Sequence, residues 1–236
     1  VGPISVNNRI VTQDVAKAAD LTDLVADYNV FAAPIAAVPV GTTTQAMDRA
    51  VTSTGGESTL GRLIADAQLA SSSGAGAQIA FMNPGGIRAN LDAGTITHGE
   101  AFSVQPFSNI VTTKTFTGSQ IETLLEQQFV TSAGGTRTLI LQVSDGFTYT
   151  WDGSAAAAGN RVDPATIKLD GVTLSPTGTY RVTMNNFLGS GGDDFPIFRA
   201  GTDEVTGADD LVALEAYLDV NDPYTPVTDV RITRVN

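Results

Sequence analysis

The stretch QIAFMNPGGIR, residues 78–88, decides how this chain is read. Its first half, Gln78 to Asn83, is a short apolar run of the kind that forms a buried strand. Pro84, Gly85 and Gly86 then impose a turn, because proline lacks a backbone donor and glycine lacks a Cβ. Polar groups that follow such a strand sit at its end, within reach of a ligand. Asn83 offers a donor and an acceptor, Gly86 admits close approach, and Arg88 offers a planar fork suited to phosphate or carboxylate. The plain alternative is a tight turn ending in a surface arginine, and spacing alone leaves both open.

Working outward, residues 58–72 carry Leu60, Leu63, Ile64 and Ala67 at helical spacing, with Ser58 placed to cap the start. Residues 12–31 read as an earlier helix with Leu21, Leu24, Val25 and Tyr28 on one face. Pro34 and Pro39 are expected to end it and turn the chain extended. We therefore divide the chain into a linker helix region, 1–32, and a domain, 33–236. Downstream, 99–104 reads as a short helix, 109–117 as a strand and 119–130 as a helix. Strands are expected at 138–143, 147–151, 166–169, 179–185 and 228–234. A last helix spans 207–218, with Asp209 and Asp210 in its first turn, where the helix dipole favours acid. Strands and helices intersperse without strict βαβ alternation. The pattern indicates an α+β domain with helices packed on mixed sheets in layers.

Composition narrows the function. The 236 residues are 42% hydrophobic and carry 13 Lys+Arg against 25 Asp+Glu, a net charge of −12. Such a surface repels nucleic-acid backbones and anionic lipids, so no nucleic-acid partner is expected. One phosphate ligand held by a local arginine is still compatible. No stretch is apolar enough to span a membrane. The absence of cysteine removes disulfides, thiol nucleophiles and thiolate metal sites. The single histidine, His98, is too few for the imidazole-rich dinuclear centres of metallohydrolases. His98, in THGE ahead of a helix, reads as solvated or capping. A cysteine-free, acidic chain rich in Thr, Gly and Ala is typical of exported proteins of Gram-positive bacteria, and points to a secreted or cell-surface location.

Two further motifs stand out. In GEAFSVQPFSNIV, 99–111, Phe107 sits between Pro106 and Ser108 just before a strand; core packing is its ordinary role. In NNFLGSGGDDF, 185–195, a strand enters a glycine-rich loop with Phe187 and Asp193. That loop lacks the Lys-Ser/Thr ending of a phosphate-cradling P-loop, and the adjacent Asp193 and Asp194 read as a polar loop. Together ESTLGRLIADAQL, NPGGIRANL, ITHGEAFSVQPFSN and NNFLGSGGDDF occur in the order seen in the C-terminal, substrate-recognition domains of 5'-nucleotidases, which this chain resembles over about residues 40–200.

The resemblance implies a four-layer α/β/β/α arrangement, with 1–32 as the interdomain linker. It implies that Phe107 and Phe187 clamp a nucleobase, that Asp193 takes the ribose hydroxyls, that Arg88 contacts phosphate, and that Asn83 and Gly86 complete the pocket. The chemistry would belong to an N-terminal metallophosphatase domain in cis that holds a pair of divalent metals. No catalytic or metal residue and no cofactor is expected in this chain, and by itself it should catalyse nothing. One departure concerns the phosphate end. Many family members carry an arginine five residues before the glycine of the LGRL helix, and here that position is Gly56. Arg62 projects on a different bearing, and Arg49 is close in sequence. A nucleoside monophosphate, a nucleotide sugar and a 2',3'-cyclic nucleotide stay open as substrates of the whole protein, as does a non-catalytic surface binding module.

Overall fold

The computed structural model describes residues 5–12, 14–132, 135–154 and 160–236, with side chains described outside 130–136. In chain order the elements are α1 (Ala19–Ala36), β1 (Pro39–Thr43), α2 (Thr59–Ser71), β2 (Ile79–Met82), β3 (Gly94–Thr97), α3 (His98–Val104), β4 (Ile110–Thr117), α4 (Gly118–Glu126), β5 (Phe129–Ser132) and β6 (Gly135–Thr138). They continue as β7 (Gln142–Val143), β8 (Phe147–Asp152), β9 (Lys168–Leu169), β10 (Val172–Thr173), β11 (Thr179–Asn185), α5 (Asn186–Gly189), β12 (Thr202–Asp209), α6 (Asp210–Val220) and β13 (Ile232–Val235).

The main sheet has the order β12-β4-β11-β2-β7, and a second has the order β10-β9-β8-β13. Both are mixed: β2 runs parallel to β11, and β13 parallel to β8, while the other pairings are antiparallel. This is the α+β class that the sequence pattern indicates. β2 is buried along its whole length, and its alternating side chains feed two cores. Ile79 and Phe81 join Phe116, Phe147, Tyr149, Trp151, Val182 and Ile232 between the sheets. Met82 joins Leu60, Leu63, Ile64, Leu214 and Leu218 on the other face, where α2 and α6 pack. The alternation follows from the two-residue period of a strand.

Helix starts follow local chemistry. The Ser58 hydroxyl accepts from Gly61 N–H at 3.0 Å. Thr97 and Glu100 form a reciprocal capping box on α3, and Thr117 and Gln120 do so on α4. A buried ion pair ties α2 to the C-terminal strand, with Arg231 bridging both oxygens of Asp66 at 2.7 and 2.9 Å.

Several expectations need correction. The first helix is not ended by Pro34, which lies inside α1. Proline there forgoes one intrahelical hydrogen bond close to the helix end, and Ala37 N–H still closes onto Ala33 O at 3.0 Å. The stripe of Leu21, Leu24, Val25 and Tyr28 is exposed. The 119–130 helix stops at Glu126, and the chain re-enters as β5, while 138–143 divides between β6 and β7. Residues 207–209 belong to β12 rather than to the last helix. His98 is half-buried and is not a cap: Thr97 caps α3, and His98 Nδ1 meets Glu215 Oε1 on α6 at 2.5 Å. Among the described residues no helix is long and apolar enough to cross a membrane.

Candidate functional site

Sheet polarity gathers the site. Because β2 and β11 are parallel in register, with Met184 opposite Phe81, their C-terminal ends emerge side by side. β4 is antiparallel to β11, with Val111 opposite Asn185, so its N-terminal end arrives at the same edge. Asn83 follows β2, Phe187 follows β11, and Phe107 and Asn109 precede β4. A cavity of about 540 Å³ opens there, lined by Asn83, Gly85, Gly86, Arg88, Phe107, Asn109, Phe187 and Asp193. All six residues selected from sequence thus line one cavity. Two larger hollows elsewhere do not hold these motifs.

The rings are unusual for their type. Phe107 is 53% exposed and Phe187 44%, so neither has the core role that is ordinary for phenylalanine. The Arg88 guanidinium carbon lies 5.8 Å from the centre of the Phe107 ring, within cation–π range. Phe187 lies against the Gly192 backbone: a Cβ on Gly192 would come within 2.5 Å of Phe187 Cε1. The glycine is therefore needed for the ring to sit there.

The polar wall is an ordered relay. Asn185 Oδ1 accepts from Leu188 N–H at 2.9 Å and so caps α5. Its Nδ2 donates to Asn83 Oδ1 at 2.9 Å, and Asn83 Nδ2 donates to Asp193 Oδ2 at 2.7 Å. Each bond fixes the orientation of the next amide. Asp193 adopts a left-handed backbone, φ 52°, and so does Asp194, φ 65°. The carboxyl group of Asp194 and the carbonyl of Asp193 both accept from Arg137 Nη2, at 2.8 and 3.3 Å. Asp194 thus serves the loop, while the Asp193 carboxylate faces the cavity.

Gly56 is not at the cavity. Its φ is +108°, and a Cβ there would come within 2.7 Å of Ile140, while its carbonyl accepts from Gln142 Nε2 at 3.0 Å. Glycine at 56 is thus a packing requirement of this chain. Arg62 also faces elsewhere, donating to Asp229 O at 2.9 Å and pairing with Glu57. Arg49 is the cation that approaches the site: its Nη1 donates to the Arg88 carbonyl at 3.1 Å. Three residues escape selection from sequence: Asn109, Asn185 and Asp210. The first two lie inside quoted motifs, and the repeated Asn at 185–186 after a strand is a usable signal. Asp210 carries only a helix-dipole signature. It is buried, and Asn109 Nδ2 donates to its Oδ2 at 3.2 Å.

Residues 39–200 match the family model described as 5'-nucleotidase, C-terminal domain. The chain belongs to that family. Endonuclease YhcR of Bacillus subtilis is 34% identical over 194 residues, 81% of this chain and 15% of the relative. Cell wall protein Lmo0130 of Listeria monocytogenes is 38% identical over 152 residues, 61% of this chain and 19% of the relative. The solved 5'-nucleotidase precursor from Thermus thermophilus superposes with a TM-score of 0.80 at 30% identity, covering 91% of this chain and 43% of that one. This 5'-nucleotidase C-terminal domain therefore spans less than half the length of each of these proteins. Among the described residues no group of three or more His, Cys, Asp or Glu side chains gathers to hold a metal ion.

Proposed function

We propose that this domain is the nucleotide-recognition half of a secreted or cell-surface 5'-nucleotidase-type phosphohydrolase. The observation that carries the reading is the pair of half-exposed rings, Phe107 and Phe187, sharing one cavity with an ordered carboxylate and a guanidinium. Such a cavity, apolar with a few convergent polar groups, is the usual form of a small-molecule site. Each base–aromatic stack contributes about 1–3 kcal/mol and tolerates different bases. The Asp193 carboxylate accepts two hydroxyl donors, as ribose presents, and Arg88 with Arg49 supplies positive charge for a phosphate in an otherwise acidic protein.

Hydrolysis of a nucleoside phosphate would be done by an N-terminal metallophosphatase domain in cis, which would hold the metals. The binding-module alternative draws its support from the missing arginine at 56; Gly56 packs against Ile140 away from the cavity, so the reading here rests on the cavity residues instead. The parent substrate stays a nucleoside 5'-phosphate in this reading, with nucleotide sugars and cyclic nucleotides sharing the same base and ribose contacts.

Calorimetric titration of adenosine into the purified chain tests the proposal. Phe107→Ala and Phe187→Ala should each weaken binding about fivefold or more, as loss of one stack requires. Unchanged affinity in both would refute the clamp, and no binding at millimolar adenosine would refute the site. AMP with added divalent metal should show no turnover by the chain alone.

A further inference from the structure

Asn109 lines the cavity beside Phe107, and its amide is not free to rotate. Its Nδ2 donates to Asp210 Oδ2 at 3.2 Å, and its backbone carbonyl accepts from Asp210 N–H at 2.8 Å. Among the described residues nothing donates to Asn109 Oδ1. An ionised carboxylate only accepts, so it fixes the NH2 end of the amide toward itself and leaves the carbonyl oxygen for the cavity. Asp210 is 1% exposed, and its Oδ1 has no partner among the described residues. A buried carboxylate with one oxygen unpaired is costly, and the cost calls for a role beyond capping a helix that Asp209 already caps.

We propose that Asp210 is a positioning residue that decides which end of the Asn109 amide faces the base, so that the pocket prefers bases with a donating amino edge over bases with an accepting oxo edge. This rests on the reading of the cavity as a nucleoside site. With Asp210 ionised, Asn109 Oδ1 accepts from the exocyclic amine of a 6-aminopurine. A 6-oxopurine needs the opposite end, and turning the amide would set its oxygen against the carboxylate. With Asp210 protonated, the carboxyl O–H donates to Asn109 Oδ1, the amide turns, and the NH2 end faces the base.

Burial holds the Asp210 carboxyl up at about 6, with the neighbouring Asp209 charge adding to the effect and the Asn109 donor opposing it. Charged groups on the elements packed against α6 have partners of their own. His98 of α3 pairs with Glu215, and Glu100 of α3 is held in the Thr97 capping box. Asp66 of α2 pairs with Arg231, Arg62 of α2 with Glu57, and Glu204 of β12 with Lys114. β1 contributes none.

The test compares adenosine and inosine affinities of the unmodified chain at pH 7.5 and pH 5. Both ligands carry the same ribose, so changes at Asp193 cancel in the ratio. Adenosine should be preferred by about threefold to tenfold at pH 7.5, one hydrogen bond's worth, and the preference should vanish or invert at pH 5. Asp210→Asn, whose amide can present either end to Asn109, should show a ratio near one at both pH values. A wild-type ratio that is the same at both pH values overturns the proposal, as does an Asp210→Asn ratio that follows wild type. Failure of both nucleosides to bind wild type overturns the site reading itself, and this proposal with it.

Discussion

Asn185→Asp separates two jobs that one buried amide performs. The new carboxylate can still accept from Leu188 N–H, so the α5 cap survives. What is lost is the donor to Asn83 Oδ1. Asn83 then has two choices. It can keep its Nδ2 on Asp193 and leave its oxygen facing a carboxylate, or turn and set that oxygen against Asp193. Both leave a buried polar atom unpaired, which costs about 1–3 kcal/mol and more for a charged group. With the site at 1% exposure, we expect a loss of about 3 kcal/mol at pH 8. The loss shrinks as pH falls, because the introduced carboxyl, once protonated, donates to Asn83 in the amide's place. Adenosine affinity should drop about tenfold as Asp193 loses its fixed orientation, a change of about 1.4 kcal/mol. Urea unfolding followed by fluorescence of the buried Trp151 reads the stability. The decisive variant combines Asn185→Asp with Asp193→Asn, so that the relay can run backwards. The amide introduced at position 193 then donates to the Asn83 oxygen, and Asn83 Nδ2 donates to the carboxylate introduced at position 185. The double variant should recover at least about 1 kcal/mol relative to the sum of the singles, whereas independent sites add within about 0.5 kcal/mol. Additivity would refute the relay.

Four further outcomes follow from the same geometry. Gly192→Ala should displace the Phe187 ring, lowering adenosine affinity severalfold in calorimetry while leaving the unfolding free energy from urea titration within about 1 kcal/mol of wild type, as for most surface changes. Asp66→Ala should destabilise by about 3–5 kcal/mol in urea unfolding, because it leaves the Arg231 charge buried without its bidentate partner. Gly56→Ala should lower thermal stability without affecting nucleoside affinity, since its left-handed φ and the Ile140 contact lie away from the cavity. Burial raises the Asp210 carboxyl in the folded chain to about 6 from its ordinary value of 3.8. The native form binds more protons than the unfolded chain between those values, so its contribution to stability is present at low pH and is lost as pH rises through about 6. The stability of wild type relative to Asp210→Asn, measured from pH 4 to 7.5, should fall across that window, and a flat difference would contradict it.

The fold is legible wherever burial writes a period into the sequence. The stripe at Leu60, Leu63, Ile64 and Ala67 forms α2, and QIAFM forms a strand because both of its faces are buried. β12 leaves no such trace. TDEVTGAD is acidic and almost wholly exposed; it is a strand because the edge of β4 offers backbone partners from Ile110 to Thr115. Edge strands held by main-chain hydrogen bonds carry no apolar alternation. The same logic applies to β1 and β3, which form a two-stranded sheet with one further bridge from Thr43 to Tyr224. The first helix misleads in the opposite sense. Its apolar face is periodic yet exposed in this chain, and Pro34 reads as a stop where a single missing donor near the helix end is tolerated.

The cavity residues are legible for a different reason. Asn83, Arg88, Phe107, Phe187 and Asp193 stand out because each violates local economy: polar groups just past a buried strand, or large rings in loops. What the sequence could not show is which of them spends its hydrogen bonds on the protein. Asn83 gives its oxygen to Asn185 and one amide hydrogen to Asp193, leaving at most one hydrogen for a ligand. It therefore acts mainly by holding Asp193. The residues behind the wall, Asn185 and Asp210, are each 1% exposed and are separated from their partners by 102 and 101 positions. The pairing of β2 with β11 brings Asn185 to Asn83, and the pairing of β12 with β4 brings Asp210 to Asn109. If recognition depends on these two as argued, Asn185→Asp and Asp210→Asn should alter nucleoside affinity and base preference respectively, although neither residue lines the cavity. Substituting Ser190, whose hydroxyl donates to the Phe187 carbonyl at 2.8 Å, should change neither.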